Sequence, residues 1–425
     1  MKSPFKFISL LAALSLVLTA CGSPPAPAKI TKSNQRRITA PNAPADDITA
    51  LVDGDNAFAL DLYRSLRSRD GNLVYSPFSI SLALAMTYAG AHNATESQMA
   101  GTMHFLPQDK LHTAFNALDL KLAEEHKAET KDQEPLQLNI ANAVWAEQTY
   151  PFQQDFLNTI ALNYGAGINL ADFINQYEPA RKEINGWVSD KTEEKIKELL
   201  PKGVLDSNTR MVLVNAIYFK ADWLDQFDAI STNDYPFHLL DGSTVNAPTM
   251  FNEMFIPYMQ GGNYQAVELA YAGNTAAMDI IIPDEGKFEE FESTFDPDTL
   301  DEITNNMQPT SVSFGLPKFT FSRDFGLASQ LAGLGMPDAF DPDKADFSGM
   351  TGGRDLFISN IVHKAFVAVD EKGTEAAAAT AVIIAPTGML MPDITLTIDR
   401  PFIFIIRDLG TAQILFIGRV LNPIQ

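Results

Sequence analysis

Apolar positions recur at helical spacing through the first half of the chain, and in short alternating or continuous runs through the second. The helical pattern covers residues 50–69, 79–89, 110–127, 153–162 and 178–199. Strand-like runs occupy 136–146, 210–219, 277–282 and 312–321, then 356–369, 395–398, 402–406 and 413–420. Helices first and strands clustered later predict an α+β fold with a mostly antiparallel or mixed sheet, not a regular βαβ alternation. From residue 48 to residue 425 there is no internal linker, and no repeat of domain-building length recurs. The pattern predicts one large domain over 48–425.

The first 47 residues follow another logic. Lys2 and Lys6 flank the start of an apolar run from Phe7 to Ala20. Its fourteen residues fall short of the roughly twenty that a membrane-spanning helix needs, and the layout is that of a secretory signal peptide. The run ends in Leu18-Thr19-Ala20-Cys21, which resembles a bacterial lipobox whose cysteine thiol carries diacylglycerol. Residues 22–47 hold five prolines and hardly any large apolar side chain. Such a composition predicts a flexible tether reaching roughly 25–30 Å, in which Arg36 and Arg37 are the charges that could meet anionic headgroups. The expected organisation is a signal peptide over 1–20, a lipidated cysteine with its tether over 21–47, and the domain beyond. The protein is then exported and lipid-anchored at the cell envelope, on the outer membrane or the outer face of the cell membrane. The domain itself is extracellular or periplasmic.

Charge and composition remove several alternatives. With 31 Lys+Arg against 53 Asp+Glu the net charge is −22, which repels phosphate backbones, so nucleic acid is not an expected partner. Removing residues 1–20 deletes two lysines, giving 29 − 53 = −24. An apolar content of 46% excludes sustained disorder. Cys21 is the sole cysteine, so no disulfide framework holds the fold. No nucleophile elbow, P-loop, zincin or dinucleotide motif occurs, and the six histidines lack zinc-ligand spacing. Asp341, Asp343 and Asp346 begin like a calcium loop, but Ala345 stands at the third ligand position, which leaves turn and helix-cap roles. Neither an enzyme nor a cofactor is expected.

One segment is chemically odd. Between residues 366–370 and Pro401 lies EKGTEAAAATAVIIAPTGMLMPDITLTIDR. Ala376, Ala377, Ala378 and Ala379 favour helix, whereas Thr374, Thr380, Val382, Ile383 and Ile384 favour strand. As a strand, the segment would place Thr374, Ala376, Ala378, Thr380, Val382 and Ile384 on one face, with Glu375 toward solvent. Small and β-branched residues on one face suit a segment that must slide beneath a covering layer.

Residues 370–381, DEKGTEAAAATA, resemble the hinge of the serpin reactive-centre loop. Residues 72–81 (NLVYSPFSIS) resemble that family's motif at the start of a central buried helix, and 213–220 (LVNAIYFK) with Trp223 resemble its central strand. Further matches are Leu316-Pro317-Lys318-Phe319, Ala339-Phe340-Asp341, residues 345–349, His363-Lys364-Ala365, Arg400-Pro401-Phe402 and Phe416-Ile417-Gly418-Arg419. The resemblance implies three β-sheets, eight to nine helices, a metastable native state and an exposed loop over about 371–394. It implies a monomeric inhibitor that acts as a suicide substrate. A protease cleaves the loop, an acyl-enzyme forms, and the cleaved loop enters the central sheet and traps the protease covalently.

By the same resemblance, Ser76, Ser79, Asn215 and His363 form a hydrogen-bonded shutter, and Trp223 marks the point where insertion begins. Glu371 opens the hinge, Gly373 lets the chain bend, and Thr374, Glu375 and Ala376–Thr380 complete it. Fourteen residues on from Gly373 the scissile bond falls at Thr387-Gly388. Alignment on Met389 moves it to Gly388-Met389. No Arg or Lys lies between Gly373 and Asp399, so the expected target is elastase-like or subtilisin-like. Papain-like cysteine proteases and a non-inhibitory surface-binding role are the alternatives. Residues 110–131 mix lysines with acids, so no heparin-type site is expected.

Overall fold

The twelve residues from Pro77 to Tyr88 explain how the molecule is layered. Eleven of them are buried, and they are apolar on every side. A helix of that kind needs covering all round. Ser76 caps its start by accepting a hydrogen bond from Ser79 N at 3.2 Å, and Pro77 occupies the first turn, where its missing N–H costs nothing.

A computed structural model describes residues 29–125, 133, 136–374 and 392–425. The strands are β1 (Lys29–Thr31), β2 (Leu73–Tyr75), β3 (Gln137–Glu147), β4 (Ile168–Ala171), β5 (Met211–Asp222) and β6 (Asn233–His238). They continue with β7 (Thr244–Gln260), β8 (Tyr264–Ala270), β9 (Ala276–Pro283), β10 (Gln308–Pro317) and β11 (Phe319–Gly326). The last are β12 (Asn360–Val369), β13 (Gly373–Thr374), β14 (Ile394–Thr397), β15 (Phe402–Asp408) and β16 (Ile414–Val420). The helices are α1 (Ala45–Leu66), α2 (Pro77–Tyr88), α3 (Asn93–Met103), α4 (Gln108–Glu125) and α5 (Gln154–Tyr164). They are followed by α6 (Phe173–Lys191), α7 (Phe288–Thr294), α8 (Pro297–Asn306), α9 (Ala328–Leu334) and α10 (Ser348–Thr351).

A seven-stranded sheet runs β1-β4-β3-β5-β13-β12-β11, and a nine-stranded one runs β14-β10-β7-β8-β9-β15-β16-β2, with β6 on β7. Helix α2 lies between them, against β3 and β5 of the first and β16 of the second. This α+β arrangement is the expected class. Among the described residues ten α-helices appear, and two hydrogen-bonded sheets stand where three are implied. The sheet count falls because β7 is seventeen residues long and pairs with β6 by one end and β8 by the other, while β10 follows it through both parts.

Two further differences have local causes. The run expected at 312–321 is two strands in different sheets, because the chain leaves β10 at Lys318, whose N–H donates to Pro248 O at 2.8 Å. The tether expected over 21–47 is shorter than its composition suggests. Residues 29–31 pair antiparallel with β4, Ser33 is buried, and α1 already begins at Ala45. The Arg37 guanidinium holds Asn116 at 2.8 Å and Asp119 at 2.6 Å, both on α4, and Ile38 N donates to Leu162 O at 2.9 Å. Proline-rich composition registers the lack of a core but not a docking edge supplied by distant residues.

Candidate functional site: the seam of the central sheet

Strands β5 and β12 are parallel neighbours at the centre of the seven-stranded sheet, paired from Asn360↔Val212 to Phe366↔Tyr218. Beyond that point they part. After Val369 the chain turns through Asp370–Lys372 and returns as β13, which enters the gap. Gly373 and Thr374 pair with Asp222 and Ala221 of β5, and Thr374 also pairs with Val369 of β12. The sheet is thus open at one end, and the opening already holds Gly373 and Thr374 of the hinge.

The residues around this opening fix the wedge. Trp223 N donates to Lys372 O at 2.6 Å, its indole Nε1 donates to Asp370 O at 3.0 Å, and Phe227 N donates to Glu371 O at 2.8 Å. The indole stacks on Tyr271 with ring centroids 4.6 Å apart. Tyr271 in turn shares a 2.8 Å hydroxyl hydrogen bond with Thr374, whose side chain is fully buried. Lys318 donates to both carboxylate oxygens of Glu371, at 2.7 and 3.0 Å, and Thr232 donates at 2.8 Å. Burial alone would raise the Glu371 pKa, but these donors outweigh it and hold the carboxyl below its ordinary value.

Gly373 lies close against the backbone of β5. Its backbone is not in the left-handed region. A Cβ there would lie 2.0 Å from Ala221 O and 2.7 Å from Asp222 Cα. In this conformation a glycine is required because the β5 backbone comes too close for any side chain.

At the closed end of the seam the expected shutter residues come together. Asn215 on β5 and His363 on β12 are paired in register, and His363 Nδ1 donates to Asn215 Oδ1. His363 Nε2 accepts from Ser76 N at 3.2 Å, so the ring is neutral with its proton on Nδ1. Asn215 Nδ2 donates to Ser79 Oγ at 2.7 Å and also to Asn142 Oδ1. Asn142, on β3, donates to Ser79 O at 3.0 Å and accepts from Ser79 Oγ at 3.1 Å. The network therefore ties three adjacent strands to the start of α2. Complete burial drives the His363 pKa down to about 3. Asn142 escaped the sequence argument, because an asparagine in an apolar strand is conspicuous only once Asn215 is known to stand opposite it.

The remaining site residues lie outside the described residues: Cys21, Glu375, Ala376, Ala377, Ala378, Ala379, Thr380, Thr387, Gly388 and Met389. The chain re-enters the second sheet as β14, parallel to β10. Asp341 and Asp346 accept from the backbone N–H groups of Asp343 and Ser348, at 2.9 and 3.2 Å, which are turn and cap roles. Among the described residues no group of three acidic, histidine or cysteine side chains is placed to hold a metal.

A family model described as Serpin (serine protease inhibitor) matches residues 53–423. The leukocyte elastase inhibitor A of Rattus norvegicus is 41% identical over 384 residues, which is 88% of this chain and 99% of that protein. A serpin-like protein of Thermococcus kodakarensis is 39% identical over 378 residues, 88% of this chain and 86% of that one. The native-state crystal structure of the thermophilic serpin tengpin superposes with a TM-score of 0.82 at 31% identity, covering 93% of this chain and 100% of that one. Human thyroxine-binding globulin in complex with its hormone gives 0.79 at 31% identity, covering 89% and 100%. The family model and these relatives agree: the chain belongs to the serpin family, a family of protease inhibitors rather than enzymes.

Proposed function

We propose that this chain inhibits a serine protease as a suicide substrate. The protease attacks the loop at Thr387-Gly388 or Gly388-Met389, and the cleaved loop enters the seam between β5 and β12 before the acyl-enzyme is hydrolysed. The observation that carries this reading is the wedge. Gly373 and Thr374 already make strand pairings to both β5 and β12. Each further residue can extend those pairings, so insertion proceeds downhill as strand addition to an open sheet. The His363–Asn215 hydrogen bond spans the line along which the sheet must part, so the shutter is the latch that insertion breaks.

The absence of Arg and Lys between Gly373 and Asp399 points to an elastase-like or subtilisin-like target. The resemblance to a leukocyte elastase inhibitor supports the first of these. The same mechanics would trap a papain-like cysteine protease. The Leu18-Thr19-Ala20-Cys21 sequence supports export and attachment to the cell envelope through lipid on Cys21, with the domain acting as a monomer.

The test is to mix the chain from residue 22 onward with pancreatic elastase, subtilisin, chymotrypsin and papain. A complex that survives denaturing electrophoresis is the expected result, and sequencing the released carboxy-terminal peptide gives the scissile bond. Cleavage with neither a complex nor a gain in thermal stability would overturn the inhibitory reading. It would favour a binding role, as the hormone complex of thyroxine-binding globulin illustrates for a structural neighbour.

A further inference from the structure

We infer that the docked segment 29–38 is a membrane-facing surface that orients the domain on anionic lipid and points the opening of the seam away from the bilayer. The inference rests on the proposal that Cys21 carries a lipid.

Three observations support it. First, the docked segment shortens the free tether. Only residues 22–28 separate Cys21 from Lys29. The eight residue steps from Cys21 to Lys29 span at most about 29 Å even when fully extended, so the edge carrying β1 cannot lie far from the membrane that holds the lipid. Second, the charge is complementary. Residues 29–38 read KITKSNQRRI, with four cations and no acid, in a chain of net charge −22. Arg37 is taken up by Asn116 and Asp119, whereas Lys29, Lys32 and Arg36 are exposed. Ile30 and Ile38 stand exposed among them, at 53% and 39%, which suits an interface of headgroups over acyl chains. A basic stretch of this kind is attracted to anionic lipid within about one Debye length of the surface.

Third, the register places this edge at the opposite end of the sheet from the hinge. Lys29 pairs with Leu170, which pairs with Ala146, which pairs with Met211. Through the same three strands Thr31 is aligned with Leu213. The hinge enters beside Asp222, at the other end of β5. The nine to eleven residues between those levels correspond to roughly 30–36 Å along the strand. With the basic edge on the lipid, the opening of the seam where the hinge enters stands on the far side of the domain, where a soluble protease can approach.

The test uses the full chain, produced in a bacterium, purified in detergent and reconstituted into vesicles of mixed phosphatidylglycerol and phosphatidylcholine. A single fluorescent probe is attached at Asn34→Cys or at Asp225→Cys, and the vesicles carry a headgroup quencher. Both positions are exposed, one on the docked segment and one next to the hinge. The expected result is quenching several-fold stronger at position 34 than at 225. The combined substitution K29E/K32E/R36E should reduce that difference to what the short tether alone imposes, while leaving the thermal unfolding of the domain unchanged. The mass of the N-terminal peptide reports separately whether Cys21 carries lipid. A lipidated chain with equal quenching at both positions overturns the surface and leaves the anchor standing. An unlipidated chain that still sediments with phosphatidylglycerol vesicles, and is released by the charge reversal, overturns the anchor and supports the surface. An unlipidated chain that stays in solution overturns both.

Discussion

His363 is the residue whose protonation state the seam depends on most directly. Folded, the ring stays neutral down to about pH 3, whereas the same ring in the unfolded chain takes up a proton near 6.5. Between those values the unfolded state binds more protons, so this contribution is complete above about pH 6.5 and is lost as the pH falls. The expected loss is about 1.4 kcal/mol per unit. In denaturant titrations from pH 7 to pH 4, His363→Gln should therefore lose less stability than the parent protein, and the gap between them should narrow. A constant gap would mean that the ring is protonated in the folded state. Asp55 works in the other direction. Its carboxyl lies buried on α1, accepts from Gln413 Nε2 at 2.9 Å, and is pushed up to about 7 by burial. The folded state keeps that proton from about pH 4 to about pH 7, where the unfolded state has released it, so stability falls as pH rises through this window. Asp55→Asn should gain on the parent protein by about 1.4 kcal/mol per unit across it, measured by the same titrations.

At the scale of elements, β13 is the part most sensitive to size. Gly373→Ala forces a Cβ against the β5 backbone and should destabilise the native fold by about 1–3 kcal/mol, read as a lower denaturation midpoint. Thr374 is fully buried and held by Tyr271. Thr374→Arg must either bury an unpaired charge, at a cost of several kcal/mol, or stay outside the sheet. In mixtures with a protease that the parent protein traps, this variant should be cleaved with little or no complex left on denaturing gels, whereas Thr374→Val should still form complex. Breaking the Lys318–Glu371 contact with Lys318→Ala leaves the Glu371 carboxylate with Thr232 as its remaining side-chain donor, and should loosen the turn that starts the hinge. Faster hydrogen exchange at the Phe227 amide, which donates to Glu371 O, would report that loosening.

For the molecule as a whole, the prediction concerns the loop. Cleavage by a protease that is not trapped should convert the open seam into a continuous sheet and raise the melting temperature. Roughly ten new backbone hydrogen bonds at about 1 kcal/mol each would shift it upward by about 10–20 °C, which scanning calorimetry before and after cleavage would show. The α+β class was legible in the sequence because α1, α4 and α5 show helical spacing of apolar residues, while α2 and the strands β3, β5, β9, β12, β15 and β16 show as apolar or alternating runs. Strands β6, β7 and β8 were not. Residues of β6 and much of β7 are exposed, so their pairing is dictated by neighbours rather than by an apolar pattern. The shutter was visible as Ser76, Ser79, Asn215 and His363 through their resemblance to a family, but Asn142 gained meaning only from its register with Asn215. By itself the sequence determined the α+β class, the principal buried helices and strands, and the small residues that follow Gly373, because each of these depends on local composition. The tertiary structure alone decided that Gly373 is pressed against β5, that the His363 ring is neutral, and that a proline-rich leader closes the edge of a sheet. Each of those depends on groups more than a hundred residues apart being brought within hydrogen-bonding or van der Waals distance, which no local pattern in the chain records.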